Sequence, residues 1–299
     1  MSMHRLLAVL VVAFGVLASR GALADAMPYA DGVLWRVEGA GQPPSHVFGT
    51  LHSSDERITS LPEAVSAAFG EARTLAIEVI LDDAATFKVG KAMMLPSGKR
   101  LDALLTPEQV AQLKDVAAHY HMPFAMVTRF KPWGAMILFS YPPAEFRRSA
   151  AGKEPLDEML QTQAEAAGKT VIGLETVDEQ IETLDGMVEA DQMMLLDSTL
   201  EQAGEIESVF ATLRDAYLAG DLAAVYDVMN AAKAGDDTGA IERFEQRLIV
   251  DRNRRMVERM DGLLQEGDAF VAVGALHLPG RQGILQLLAD RGYRVTRVH

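Results

Sequence analysis

The same short pattern occurs near both ends of the chain, and this repeat restricts the fold more than any other feature. The early copy is a strand, then Gly-Thr-Leu-His at 49–52, a loop with Pro62, a helix and a strand. The late copy is a strand, then Gly-Ala-Leu-His at 274–277, a loop with Pro279, a helix and a strand. We interpret the two copies as one β–GxxH–α–β unit used twice. They predict an α/β fold whose sheet is built from both chain ends, with a large helical insertion between them.

Hydrophobic patterning predicts the individual elements. The run 269–273 is continuously apolar, as in a strand buried on both faces. Most of the chain between about 84 and 255 has helical patterning, with start signals at Thr106 and Thr176, each followed by Gln or Glu three residues later. Other strands are predicted at 33–37, 45–49, 74–79, 169–174 and 293–298, and a late helix at 281–290.

The repeat also predicts a site. If both units share one sheet, His52 and His277 lie just past the carboxyl ends of their strands, the edge where open α/β sheets bind ligands. The motif glycines would let the backbone turn sharply there. A lone His after a strand is usually a hydrogen-bonding loop residue, and the matching context of the two copies is what favours a shared site.

Two histidines and a carboxylate can hold a divalent metal without cysteine, and this chain has no Cys. We expect Glu78 to be the third ligand, because a Glu inside an apolar strand is costly unless it is paired or bound to metal. The absence of Cys also excludes thiolate nucleophiles and Cys-type zinc sites. The HExxH, Walker A, GxGxxG and GxSxG motifs are missing, so the enzyme classes that use them lack support.

Residues 1–24 have the pattern of a secretory signal peptide. Arg5 precedes the apolar run 6–17, and Ala-Leu-Ala at 22–24 forms a cleavage site before Asp25. The apolar run is shorter than the roughly 20 residues that a transmembrane helix needs. We therefore expect a periplasmic or secreted protein with no stable membrane span after cleavage. No linker divides residues 25–299, which we expect to form a single domain.

The formal net charge of −14 is strongly acidic. Because such a surface repels phosphate backbones, nucleic acid is a poor candidate for a partner. A peptide or another component of the cell envelope is the expected substrate, and the sequence leaves the oligomeric state open.

A set of segments spread over nearly the whole mature chain resembles the TraB/GumN family, which is related to the Tiki ectodomain. These segments are Trp-Arg-Val at 35–37, Phe-Gly-Thr-Leu-His at 48–52, Ala-Ile-Glu at 76–78, Lys-Pro-Trp at 131–133, Pro-Leu-Asp at 155–157, Gly-Lys-Thr-Val-Ile-Gly-Leu-Glu-Thr at 168–176, Arg-Asn at 252–253 and Val-Gly-Ala-Leu-His-Leu-Pro-Gly at 273–280.

The resemblance implies a Tiki-like fold, related to erythromycin-esterase-like and ChaN-like proteins. It also implies divalent-metal-dependent proteolysis, associated in Tiki proteins with manganese or cobalt. The two GxxH motifs of that family match the motifs ending at His52 and His277, and its strand Glu matches Glu78. We expect manganese, cobalt or zinc as the cofactor.

The resulting hypothesis is a metal-dependent hydrolase, most simply a peptidase. His52, Glu78 and His277 would hold or surround one metal, which would polarise the scissile carbonyl and activate water. Glu78 would serve as ligand or as general base, and Glu175 would supply the other role. Glu175 could instead be a residue favoured by a helix N-terminus. Arg57 would stabilise an oxyanion, or else be a solvated loop residue.

Two other classes of function stay open at this point. The chain could bind a peptide, or a haem through His52 or His277, which needs an axial ligand and a large apolar pocket. It could also be a non-catalytic accessory protein of envelope or polysaccharide biogenesis. Glu78 set beside the two histidines favours the hydrolase, because a haem site needs no such carboxylate.

Overall fold

The computed structural model describes residues 27–230, 236 and 238–299, so the signal peptide predicted at 1–24 lies outside the described residues. Six strands form one sheet within this part of the chain. The strands are β1 (Leu34–Glu38), β2 (Ser45–Thr50), β3 (Thr74–Ile77), β4 (Thr170–Gly173), β5 (Ala269–Gly274) and β6 (Arg294–Arg297).

Helices fill the long segment between β3 and β5 and most of the other connections. They are α1 (Glu56–Thr59), α2 (Glu63–Glu71), α3 (Asp83–Ala92), α4 (Pro107–His119), α5 (Phe124–Val127), α6 (Pro132–Phe139), α7 (Pro143–Ala150), α8 (Leu156–Ala166), α9 (Val177–Asp185), α10 (Glu189–Gln202), α11 (Ile206–Leu218), α12 (Leu222–Asn230), α13 (Ala240–Glu245), α14 (Asp251–Glu266) and α15 (Ile284–Asp290). A π-helical turn, Gln246–Val250, joins α13 to α14, and single 3-10 turns occupy Leu101–Ala103 and Ala275–His277.

The strand order is β4-β3-β5-β2-β1-β6. Strands β4, β3, β5 and β2 are parallel, whereas β1 is antiparallel to both of its neighbours, β2 and β6. The late strand β5 therefore lies between β2 and β3, the two strands of the early unit. This arrangement confirms the predicted fold class, because both units contribute to one sheet and the helical segment is inserted between them.

Strand β5 is the centre of the sheet. All six of its residues are buried, as the apolar run predicts, because the strand is paired on both sides and covered on both faces. Its register pairs Gly274 with Thr50 of β2 and Ala272 with Ile77 of β3. The carboxyl ends of these three strands consequently lie side by side.

Strand β3 is shorter than predicted. It ends at Ile77, so Glu78 is the first residue beyond the strand and not a residue within it. The Glu78 carbonyl still accepts a hydrogen bond from the Glu175 backbone at 2.7 Å, which keeps the chain after β3 next to the chain after β4. The carboxylate of Glu78 is thereby placed at the carboxyl edge of the sheet.

The helix start signals are confirmed at both predicted places. At α4, Thr106 and Gln109 exchange both hydrogen bonds of a capping box. At α9, Thr176 and Glu179 do the same, which fixes the start of this helix shortly after the end of β4. None of the helices that the structure describes combines the length and the apolar character needed to cross a bilayer.

Candidate functional site

Four predicted site residues follow four neighbouring parallel strands. His52 lies beyond β2, His277 beyond β5, Glu78 beyond β3 and Glu175 beyond β4. All four are buried, with relative exposures between 2% and 4%. Burial of this degree means that each polar group must find a partner inside the protein or in a ligand.

The glycines of the two motifs serve close packing. Gly274 has φ −52, and Gly49 is not among the residues of positive φ, so neither adopts a conformation reserved for glycine. A Cβ on Gly49 would lie 2.8 Å from a methyl of Leu278 and 3.0 Å from the Cα of Ala275. A Cβ on Gly274 would lie 3.3 Å from Glu78 Oε1. The expected turn does follow Gly274, as the 3-10 turn Ala275–His277, but it does not depend on a backbone conformation reserved for glycine. The glycines instead let β2, β5 and the Glu78 carboxylate approach one another.

His277 is held from helix α14. Its Nδ1 lies 2.6 Å from Oδ1 of Asn253, and its Nε2 lies 3.6 Å from Oε1 of Glu78. Burial and the nearby positive charge of Arg252 lower the pKa of His277 to about 4, against the opposing effect of Glu78. The imidazole is therefore neutral near pH 7, which is the state that a metal ligand requires.

His52 is held from helix α8. Its Nδ1 lies 3.2 Å from Oδ2 of Asp157, whose other oxygen accepts a 2.6 Å hydrogen bond from the Thr50 hydroxyl. Burial acts to lower the pKa of His52, but Asp157, with the more distant Glu158 and Glu145, raises it overall. The Nε2 atom of His52 is buried and has no hydrogen-bond partner.

Glu78 is held by a backbone N–H and by a buried guanidinium. Its Oε1 accepts a 2.7 Å hydrogen bond from the Gly274 backbone, and its Oε2 is paired with the guanidinium of Arg252. Burial acts to raise the pKa of Glu78, but the charges of Arg252 and His277 and the Gly274 N–H lower it to about 2. The carboxylate is therefore ionised at every pH at which the protein would work.

Glu175 shares the same arginine. Its Oε2 lies 2.7 Å from Nη2 of Arg252, and its Oε1 accepts a 2.9 Å bond from Nη1 of Arg255. Gln180 of α9 approaches both Glu78 and Glu175 at 3.4 Å. The structure thus brings Glu78, Glu175 and His277 into one connected cluster beneath helix α14.

Arg57 lies in a different environment. Its side chain is 56% exposed, and its Nε and Nη2 donate to the two carboxylate oxygens of Asp55 at 2.9 and 2.6 Å. It borders a cavity of about 420 Å³ that Tyr217 also lines. Among the hydrogen bonds and ion pairs of the described residues, none joins Arg57 to His52, Glu78 or His277. The oxyanion role remains a prediction.

Three further residues of the site carried no predicted role. Asp157 holds His52, Asn253 holds His277, and Arg252 joins Glu78 to Glu175. Each occurs in a segment that resembles the TraB/GumN family, and this resemblance was the sequence signal that could have identified them as site residues. Nothing in their spacing indicates a partner, because Asp157 and His52 are 105 residues apart and Arg252 and Glu78 are 174 apart.

The donor atoms suit a divalent metal, although they are not closed around one. Imidazole nitrogens and a carboxylate are ligands for manganese, cobalt and zinc. Both histidines have Nδ1 engaged, as metal-binding histidines do when Nε2 is the ligand, and Nε2 of His52 lacks a partner. Within the described part of the chain, no three His, Asp or Glu residues form a group spaced to hold a metal ion. Binding would require His52, His277 and Glu78 to close around it.

The chain is similar to known proteins over most of its length. Residues 33–297 match the model of the TraB/PrgY/gumN family. Among similar proteins, Metalloprotease TIKI2 of Danio rerio is 28% identical over 88% of this chain and 60% of its own length. Metalloprotease TIKI1 of Homo sapiens is 26% identical over 88% of this chain and 61% of its own length.

The Metalloprotease TIKI homolog of Nematostella vectensis is 26% identical over 89% of this chain and 66% of its own length. The alignments with the two TIKI metalloproteases of Danio rerio cover 60% and 62% of those proteins, so a large part of each has no counterpart here. No solved structure gives a significant match. Because the family model covers nearly all of the described fold, from the start of β1 to the end of β6, the chain belongs to the TraB/PrgY/gumN family.

Proposed function

We propose that this protein is an exported metal-dependent hydrolase, most simply a peptidase, whose site lies at the carboxyl edge of the sheet. The observation that carries the proposal is the state of the two histidines. His52 has a buried Nε2 without a partner, and His277 turns its Nε2 towards the Glu78 carboxylate on the next strand. The similar proteins named as metalloproteases support the same reading.

We assign His52, His277 and Glu78 as the residues that would hold a manganese, cobalt or zinc ion. When bound, the ion would supply Lewis-acid polarisation of a scissile carbonyl and of the attacking water. Asp157 and Asn253 would orient the two imidazoles, as residues that accept a hydrogen bond from the other ring nitrogen of a metal-binding histidine commonly do.

Within this proposal Glu78 acts as a ligand and not as the proton acceptor. A group with a pKa of about 2 is a weak base near neutral pH, because efficient proton transfer needs a pKa near the operating pH. Glu175 acts through Arg252, which it holds against Glu78. The ionic network therefore fixes the ligand carboxylate at the edge of the sheet.

The proposed substrate is a peptide or another component of the cell envelope. Export depends on the signal peptide predicted at 1–24, and the net charge of −14 disfavours polyanions such as nucleic acid. A periplasmic or secreted location would place the site among envelope proteins and peptides.

Metal content tests the proposal directly. The mature chain is incubated with manganese, cobalt or zinc, freed of excess ion and measured by elemental analysis. We expect about one equivalent in the wild type and none in the His52→Ala/His277→Ala double variant, because both imidazoles would be lost. A His46→Ala/His119→Ala double variant is the matched control and should retain the metal.

Cleavage of a peptide library by the metal-loaded wild type, absent from the His52→Ala/His277→Ala protein, would support the peptidase assignment. A wild type that takes up no metal would overturn the metal-dependent reading. Metal uptake that survives loss of both histidines would place the ion elsewhere and would equally overturn it.

A further inference from the structure

The side chain of Asn253 determines which nitrogen of His277 carries a hydrogen. Its Nδ2 donates to the backbone carbonyls of His277 at 3.3 Å and Gln282 at 2.8 Å, which fixes the orientation of the amide. The other amide atom, Oδ1, therefore faces His277 Nδ1 at 2.6 Å. Because Oδ1 can only accept, His277 Nδ1 must donate.

The opposite tautomer is disfavoured by the distances. With hydrogen on Nε2, His277 could donate to Glu78, but over 3.6 Å, which is too long for a hydrogen bond. The same tautomer would leave two bare acceptors, His277 Nδ1 and Asn253 Oδ1, at 2.6 Å. A separation that short requires a hydrogen between the two atoms.

Asp157 likewise favours a hydrogen on Nδ1 of His52. An ionised carboxylate accepts hydrogen bonds and donates none. One oxygen of Asp157 receives the Thr50 hydroxyl at 2.6 Å, and the other faces His52 Nδ1 at 3.2 Å. The hydrogen of a neutral His52 therefore lies on Nδ1, and the lone pair lies on the buried, unpartnered Nε2.

We infer that Asp157 and Asn253 are positioning residues that hold His52 and His277 in the Nδ1–H tautomer and so leave both Nε2 lone pairs available to one electropositive ligand. The nature of that ligand, a divalent metal, rests on the proposed function. The assignment of the two tautomers does not rest on the proposed function. This arrangement leaves a bare Nε2 of His277 3.6 Å from Oε1 of Glu78, two acceptor atoms that a cation bound between them would satisfy.

Nitrogen-15 NMR of histidine-labelled, metal-free mature protein at mildly alkaline pH tests the inference. Two-bond 15N–1H couplings distinguish a protonated ring nitrogen from a bare one, and His52→Gln and His277→Gln assign the signals. We expect a protonated Nδ1 and a bare Nε2 in both residues of the wild type. Asn253→Ala should shift His277 towards the Nε2–H tautomer and leave His52 unchanged, and Asp157→Ala should do the reverse.

Asp191→Ala is the matched control. It removes a buried carboxylate that is paired with Arg243 and bonded to neither histidine, so it should change neither tautomer. An Nε2–H tautomer of either His52 or His277 in the wild type would overturn the inference, whether or not Asn253→Ala and Asp157→Ala fold. Unchanged tautomers in both folded variants would also overturn it.

Metal uptake by the same samples separates this inference from the proposed function. Nδ1–H tautomers together with tight metal binding would support both. Nδ1–H tautomers in a protein that binds no manganese, cobalt or zinc would support the positioning roles of Asp157 and Asn253 and overturn the metal-dependent hydrolase.

Discussion

Glu78 and Arg252 form an ion pair in which each side chain is 2% exposed, and this pair joins the end of β3 to helix α14. The same guanidinium reaches Glu175 at 2.7 Å, so one cation compensates two buried carboxylates at the edge of the sheet. Arg255 adds a second positive charge from the more exposed side. The arrangement fixes the position of Glu78 relative to His277.

Arg252→Met should destabilise the protein strongly. The substitution leaves Glu78 and Glu175 buried next to each other without their shared cation, and removal of one partner of a buried pair costs about 3–5 kcal/mol. Urea unfolding followed by circular dichroism measures the loss. Arg254→Ala, which removes an exposed arginine two positions along the same helix, should change stability by no more than about 0.5 kcal/mol. Equal small effects of both variants would contradict the compensating role of Arg252.

Gly49→Ala should destabilise the fold by about 1–3 kcal/mol, the usual cost of overpacking. The new Cβ would lie 3.0 Å from the Cα of Ala275, a backbone atom that cannot move without shifting the turn before His277. Gly262→Ala is the matched control, and its effect on stability should have the opposite sign. It lies within α14 with open space around the new Cβ, and it should stabilise by about 0.5–1 kcal/mol. Thermal unfolding measures both effects. A shift of the two melting temperatures in the same direction would contradict this account.

Tyr217→Phe should cost about 0.5–1.5 kcal/mol, the net contribution of a buried hydrogen bond. The Tyr217 hydroxyl donates to the Gly49 carbonyl at 2.9 Å and connects α11 to the end of β2. Burial raises the pKa of this hydroxyl, so it stays protonated and able to donate throughout the ordinary pH range. The partly exposed Tyr293 provides the control, and Tyr293→Phe should have the smaller effect in chemical denaturation.

The ion pair of Glu179 with Arg259 should make stability depend on pH below about 4.5. Hydrogen bonding from Arg259 lowers the pKa of Glu179 from 4.5 to about 2, assisted by Thr176 and opposed by partial burial. Because the folded pKa is below the unfolded one, the stabilisation is complete above pH 4.5 and is lost as the pH falls towards 2. Glu179→Gln keeps the capping box but cannot ionise.

Unfolding free energies of the wild type and Glu179→Gln, compared from about pH 6 to about pH 3, check this expectation. The difference between them should shrink steadily as the pH falls. A difference that is constant over this range would show that the ionised state of Glu179 contributes nothing.

Much of the architecture follows from local patterns. The continuous apolar run of β5 requires a strand covered on both faces, and the Thr176–Glu179 capping box fixes where α9 begins. The end of β3 was less well predicted, because the β-prone residues continue to Val79. The strand ends at Ile77, and Glu78 is held beyond it by contacts with the chain after β4 and with α14. The glycine of each GxxH motif was expected for its backbone freedom, but the tertiary structure uses its small size.

The sequence by itself determined that two like units form one sheet and that His52, His277 and Glu175 follow its strands, because β-strand patterns are encoded locally. Glu78 was predicted inside its strand and lies one residue beyond it. Only the tertiary structure decided which side chains hold these four. Asp157, Arg252 and Asn253 come from helices α8 and α14, whose packing over the sheet edge depends on the whole buried core. Hydrogen bonds and ion pairs between such distant segments have no local signature, because their geometry exists only after the helices have packed.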